Sequence, residues 1–253
     1  MEEGHVICKI DQKGLATIEF GHPSSNALPG KILGKLANTI TEVSSDSSCK
    51  LILLKSAGNR AFCAGASFDE LIAIQNMEDG KVFFSGFAKV INACRTSSKL
   101  IIGRIHGKAV GGGVGIASAV DYAFATKAAS IKLSELAVGI GPFVVGPAVE
   151  RKIGLSGMSD LAINATAWRS ATWAEQKGLY AHVYEDIDQM DEGIADLVEK
   201  LTSSNPAAMA HLKSVFWNGT SHWEQLLSER AEISGKLVLS DFTRNAIQAF
   251  KKT

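Results

Sequence analysis

Four glycines in five positions, Gly111-Gly112-Gly113-Val114-Gly115, stand between an apolar segment ending near Ile105 and the run Ile116-Ala117-Ser118-Ala119-Val120. Glycine costs a helix interior about 1 kcal/mol per residue against alanine. Such a cluster where a strand gives way to a helix predicts that something approaches the backbone too closely for a Cβ. A helix start also carries unpaired N–H groups and the positive end of the peptide dipole. It can hold a phosphate, or an oxyanion developing on a carbonyl.

The segments around the cluster set the fold class. Residues 5–10 and 16–20 are rich in β-formers and are split by Asp11-Gln12-Lys13-Gly14, a turn pattern. Residues 28–43 carry Leu28, Ile32, Leu33, Leu36, Ile40 and Val43 at helical spacing. Leu51-Ile52-Leu53-Leu54 is apolar throughout, the mark of a strand covered on both faces of a parallel sheet. A helix over about 81–96, a buried strand over 100–105 and short strands at 122–125 and 130–133 continue the alternation, which predicts an α/β core. Beyond residue 142 the pattern is helical. Residues 186–201 place Ile187, Met190, Ile194, Leu197 and Leu201 at steps of three and four. Pro206 suits the first turn of another helix, and a helical stretch over 223–250 should break at Ser240-Asp241, where either side chain can cap a new start. Trp217, Trp223 and Phe250 require apolar partners, from the core or from a neighbouring subunit. The expected division is a core over 1–195 and a helical region over 196–253.

At 253 residues the chain suits one large domain, or one with an appendage, and can bury a sizeable core. Lys plus Arg number 26 and Asp plus Glu 26, so the long-range field used to bind nucleic acid or a membrane surface is missing. No apolar run nears the ~18 residues of a membrane span. The opening Met1-Glu2-Glu3-Gly4-His5 is acidic and not an apolar signal, which predicts a cytoplasmic location. Cysteines 8, 49, 63 and 94 form no close pair and read as reduced thiols, and six scattered histidines without ligand spacing predict no metal.

The glycine cluster fits a dinucleotide fingerprint poorly. Gly113-Val114-Gly115-Ile116-Ala117-Ser118 lacks the third glycine, no Walker lysine follows, and no Gly-x-Ser-x-Gly elbow occurs. An oxyanion site needs a second donor and a base. Arg60-Ala61-Phe62-Cys63-Ala64-Gly65-Ala66, a small-residue turn after a buried strand, offers the donor. Glu135, one acid within Leu133-Ser134-Glu135-Leu136-Ala137-Val138-Gly139, offers the base, although by residue type alone a solvent-facing carboxylate or helix cap is the commoner fate.

Taken in order, these segments resemble the crotonase, or enoyl-CoA hydratase/isomerase, superfamily. The likeness is carried by Ala61 to Ala66, by His106-Gly107-Lys108-Ala109-Val110-Gly111-Gly112-Gly113 with Asp121 after it, by Ser134 to Gly139, and by Ala171, Glu175, Gly178 and Leu179. It extends over roughly 5–250. The resemblance implies a crotonase-like spiral of ββα units with the acyl-CoA site in the core. It implies a helical C-terminal part engaged in trimers, so a homotrimer or a dimer of trimers. It also implies a coenzyme A thioester as substrate, with no separate cofactor, in a setting such as fatty acid metabolism. On this chain the oxyanion donors would be the amides of Ala66 and Gly112, and Ala64, Ser67 and Phe68 would border the CoA moiety.

Two positions depart from the family pattern. Ser67 replaces the usual acidic residue after the oxyanion alanine, which leaves the N–H donor in place. Family hydratases hold their water between two glutamates, one of them two residues after the triple glycine; here that position, at the substrate, is Gly115, and only Glu135 remains. One carboxylate suffices to move a proton from the α-carbon of a 3-enoyl-CoA to its γ-carbon. The resemblance therefore implies a Δ3–Δ2-enoyl-CoA isomerase, the alternatives being a hydratase using Asp69, Glu70 or another acid, or a non-catalytic acyl-CoA binder. Pro142-Phe143 would line the acyl pocket, Arg60 and Lys251 would be solvated or meet CoA phosphates, and His106 and Cys63 read as packing residues.

Overall fold

A computed structural model of the chain describes residues 4–250. It opens with a hairpin, β1 (His5–Ile10) and β2 (Leu15–Gly21), turned where Asp11 Oδ1 accepts the amides of Lys13 and Leu15. β3 (Ala27–Leu28) precedes α1 (Gly30–Ser45). The helical spacing begins at Leu28, yet the helix starts two residues later. Pro29 holds the residue before it extended, and Leu28 pairs with Ala66 instead.

β4 (Leu51–Ser56), β5 (Ala61–Cys63), β6 (Gly65–Ala66), α2 (Phe68–Ala73) and α3 (Met77–Thr96) follow. α3 starts four residues before the expected position of about 81. Asn76 accepts the Asp79 amide, and Glu78 and Asp79 suit the positive helix end. Then come β7 (Leu100–Ile105), β8 (Lys108–Val110), α4 (Gly112–Ala119), β9 (Tyr122–Thr126), β10 (Ile131–Lys132), a 3-10 turn over Glu135–Val138, and α5 (Gly146–Ile163). The chain continues through α6 (Ala171–Gln176), β11 (His182–Tyr184), α7 (Ile187–Thr202), α8 (Pro206–Phe216), α9 (Trp223–Leu237) and α10 (Asp241–Phe250).

This order traces a spiral. β2, β4, β7 and β9 are parallel neighbours in a six-stranded sheet of order β1-β2-β4-β7-β9-β11. Each then passes into short strands of two smaller sheets, β3-β6 or β10-β8-β5, and on into helices. The α/β reading, with helices taking over after it, matches this architecture. The apolar β4 run is explained by its two faces: Ile52 and Leu54 join the main core, while Leu51 and Leu53 pack with Met190, Ile194 and Met209 of α7 and α8. The expected 195/196 boundary falls inside α7, which runs through it unbroken.

α9 lies against α3, crossing so closely at Gly80 and Gly235 that a Cβ on Gly235 would sit 2.7 Å from the Lys81 amide nitrogen. Trp217 and Trp223 are buried edge to face, 5.8 Å between ring centres. α9 and α10 break where Ser240 Oγ accepts the Thr243 amide. Lys251 and the Phe250 side chain lie outside the described residues. Among the described residues no helix is long and apolar enough to cross a membrane.

Candidate active site

Each glycine of the cluster meets a different neighbour. Gly111 has φ 53°, a conformation L side chains rarely adopt, and its amide donates to the Lys132 carbonyl of β10. A Cβ on Gly112 would stand 2.2 Å from Phe87 Cζ, and one on Gly113 would stand 2.4 Å from the Cys63 carbonyl oxygen. This close fit draws the start of α4 onto β5 and β6: a Cβ on Gly65 would lie 3.8 Å from the Gly112 nitrogen. Inside α4 the amides of Val114 and Gly115 both donate to the Gly111 carbonyl. Those of Gly112 and Gly113 come before that ladder, where a helix has no acceptor of its own to offer.

Glu135 begins the 3-10 turn after β10, whose pairing with β8 brings it beside the cluster. Its Oε1 would be 3.0 Å from a Cβ on Gly111. The residue as a whole is half-buried, but Oε2 is sealed from solvent and has no hydrogen-bond partner. Burial pushes the carboxyl from its ordinary 4.5 up to about 7, against a smaller lowering by its own backbone amide. Near neutrality it can take up a proton and give it back.

Glu135 opens into a cavity of about 310 Å³. Ala64, Ala66, Phe68, Gly112 and Glu135 all line it, so five of the residues expected at the site share one wall system. Pro142 and Phe143 line it as expected. Ser67 and Gly115 do not. The Ser67 hydroxyl accepts the Glu70 amide at 3.3 Å and caps α2. Gly115, expected at the substrate, is instead covered by Val145, whose Cγ1 would be 2.5 Å from a Cβ placed there. Asp69 and Glu70 also stay off the wall, and Glu70 Oε2 accepts the Gly30 amide at 2.8 Å.

His106 is buried away from the cavity, and burial, with Arg104 adding to it, lowers its ring to about 4, so it is neutral at pH 7. Burial pushes the Cys63 thiol up to about 12, which leaves it unreactive. Several wall residues escaped sequence reasoning: Phe83, Phe84 and Phe87 of α3, Val145, Lys132, and Ser234 of α9. The apolar face of α3 was legible; that part of this face lines a cavity was not. Ser234 arrives only because α9 crosses α3 glycine on glycine.

Residues 11–253 match the family model described as enoyl-CoA hydratase/isomerase. The short-chain-enoyl-CoA hydratase of Clostridium acetobutylicum is 27% identical over 253 residues, covering 99% of this chain and 95% of that protein. The peroxisomal Delta(3,5)-Delta(2,4)-dienoyl-CoA isomerase of Arabidopsis thaliana is 24% identical over 261 residues, covering 96% and 92%. Among solved structures, the enoyl-CoA hydratase from Bacillus halodurans superposes with a TM-score of 0.88 at 20% identity, over 96% of this chain and 99% of the other. Fold and site therefore define a crotonase-type enzyme of acyl-CoA metabolism. The chain belongs to the enoyl-CoA hydratase/isomerase family.

Proposed function

We propose that this protein is a Δ3–Δ2-enoyl-CoA isomerase in which Glu135 is the only proton shuttle. The observation that carries the reading is that Glu135 is the one carboxylate lining the cavity among the described residues, with Oε2 unpartnered and burial holding it near neutrality. The carboxylate takes a proton from C2 of a 3-enoyl-CoA. The electron pair spreads over C2, C3, C4 and the thioester oxygen. The amides of Ala66 and Gly112 stabilise that oxygen, each such donor being worth about 2.7–4 kcal/mol. Glu135 then returns the proton to C4, and the double bond ends between C2 and C3. No proton is lost or gained overall, and no cofactor beyond the CoA of the substrate is needed. The loop from Ala64 to Phe68 borders the CoA moiety in this reading.

The same reading takes the protein to be a homotrimer or a dimer of trimers. Exposed Leu155 and Ile163 on α5 and Val215 on α8 support buried contacts in an assembly, and light scattering on the purified protein measures it. For the reaction, purified protein is given a 3-enoyl-CoA and a 2-enoyl-CoA in separate cuvettes. Conjugation followed by ultraviolet absorbance should appear with the first. Loss of conjugation with the second and no reaction of the first would make the protein a hydratase. Binding with neither change would make it an acyl-CoA binder.

A further inference from the structure

Gly115 lies one turn into α4, and α5 begins directly over it. A Cβ on Gly115 would meet Val145 Cγ1 at 2.5 Å and Val145 Cβ at 2.8 Å, with Ile91 Cδ1 next at 3.7 Å. Val145 is the residue before the first turn of α5, is 4% exposed, and lines the cavity that Glu135 faces. A β-branched side chain has few rotamers, so its methyl does not swing aside for a new neighbour. The space two residues beyond the triple glycine is thus already filled by hydrocarbon. Its neighbours along the chain, Pro142, Phe143 and Val144, line the same cavity. A water held there would lack the two to four polar partners that ordered water needs.

We infer that Gly115 and Val145 are a complementary pair that closes the second-acid position to water, making Val145 a specificity-determining residue that favours proton transfer over water addition. The inference rests on the isomerase reading above. Water addition to a 2-enoyl-CoA has more demands than isomerisation. The water oxygen bonds to C3, the C2=C3 electron pair passes onto the thioester oxygen, and one water proton leaves to a base. A separate proton from Glu135 then reaches C2 as the enolate collapses. Glu135 alone serves the last step; the first needs a water and a base in the space that Val145 occupies.

The test compares wild type with Gly115→Ala, Val145→Gly, Gly115→Ala/Val145→Gly and Gly115→Glu/Val145→Gly. Each is measured for thermal unfolding, for isomerisation of a 3-enoyl-CoA and for hydration of a 2-enoyl-CoA. Gly115→Ala should lower Tm, and its cost should shrink when Val145→Gly is already present, because the clashing atoms are gone. In the folded Gly115→Glu/Val145→Gly variant the ratio of hydration to isomerisation should rise by about tenfold or more, the introduced acid supplying the missing base. Additive Tm losses, or a folded double variant at the wild-type ratio, would overturn the pairing while wild-type isomerisation left the isomerase reading intact. A wild type that hydrates and does not isomerise would overturn both. If wild type did neither, the isomerase reading would fall, and a double variant that gained no hydration would overturn the pairing too.

Discussion

Glu135 is a carboxylate placed where hydrocarbon and glycine backbone surround it, and its chemistry follows from that placement. Only the ionised form can accept the α-proton, so kcat/KM for isomerisation should climb with pH and level off above about 7. Glu135→Gln should cost about two to four orders of magnitude in turnover while acyl-CoA binding, measured by calorimetry, persists. Stability should move the other way. The folded-state carboxyl titrates above its ordinary 4.5, so between that value and about 7 the unfolded chain gives up the proton first and the folded state loses stability as pH rises. Glu135→Gln should therefore raise Tm at pH 8, by roughly 2–8 °C, and leave it near wild type at pH 4. A flat Tm difference across that range would mean that the folded carboxyl titrates normally. The residue type and its apolar neighbours were readable along the chain; its raised pKa was not, because the walls of the cavity it faces come from β8, α3 and the segment before α5.

Elements were readable wherever one residue pattern served one role. α1 and α7 show their buried stripes in sequence, and β4 shows two-sided burial. Where patterns served two roles they misled. Leu28 fits the periodicity of α1 but belongs to β3, and α3 extends past its apolar stripe because Asn76 caps it earlier. β11 is three residues long and is held by parallel pairing to β9, a contact no local pattern announces. The crossing of α3 and α9 is the element-scale feature most open to test. Gly235→Ala would drive a methyl to within 2.7 Å of the Lys81 backbone, which cannot step aside as a side chain can. Overpacking of this kind costs about 1–3 kcal/mol. Ser234 next to it lines the cavity, so the expected outcome is a lower denaturant midpoint together with a raised KM.

Across the whole molecule, one buried cluster ties the spiral to the C-terminal helices. Asp121, just before β9, accepts Lys213 Nζ at 2.7 and 2.9 Å, Trp217 Nε1 at 2.8 Å and the Ile101 amide at 2.7 Å. Its carbonyl accepts Lys152 Nζ from α5. The Asp121 and Lys213 side chains are only 4% and 2% exposed, so removing one partner strands a buried charge. Lys213→Met should cost about 3–5 kcal/mol in urea unfolding, and adding Asp121→Asn should recover part of it, because the buried carboxylate that Lys213 had neutralised is then gone. Strict additivity of the two losses would show that the pair is uncoupled.

The chain by itself determined which segments alternate as strands and helices, where backbone must approach backbone, and that the position two residues after the triple glycine, Gly115, carries no acid. Those are local properties, set by period, residue size and charge. Tertiary structure alone decided that Ser67 caps a helix and is not among the cavity's lining residues, that Val145 occupies the space beside Gly115, and that three phenylalanines of α3 line the cavity. These facts depend on how distant segments fill one another's volume, and excluded volume between such segments leaves no periodic trace in either one.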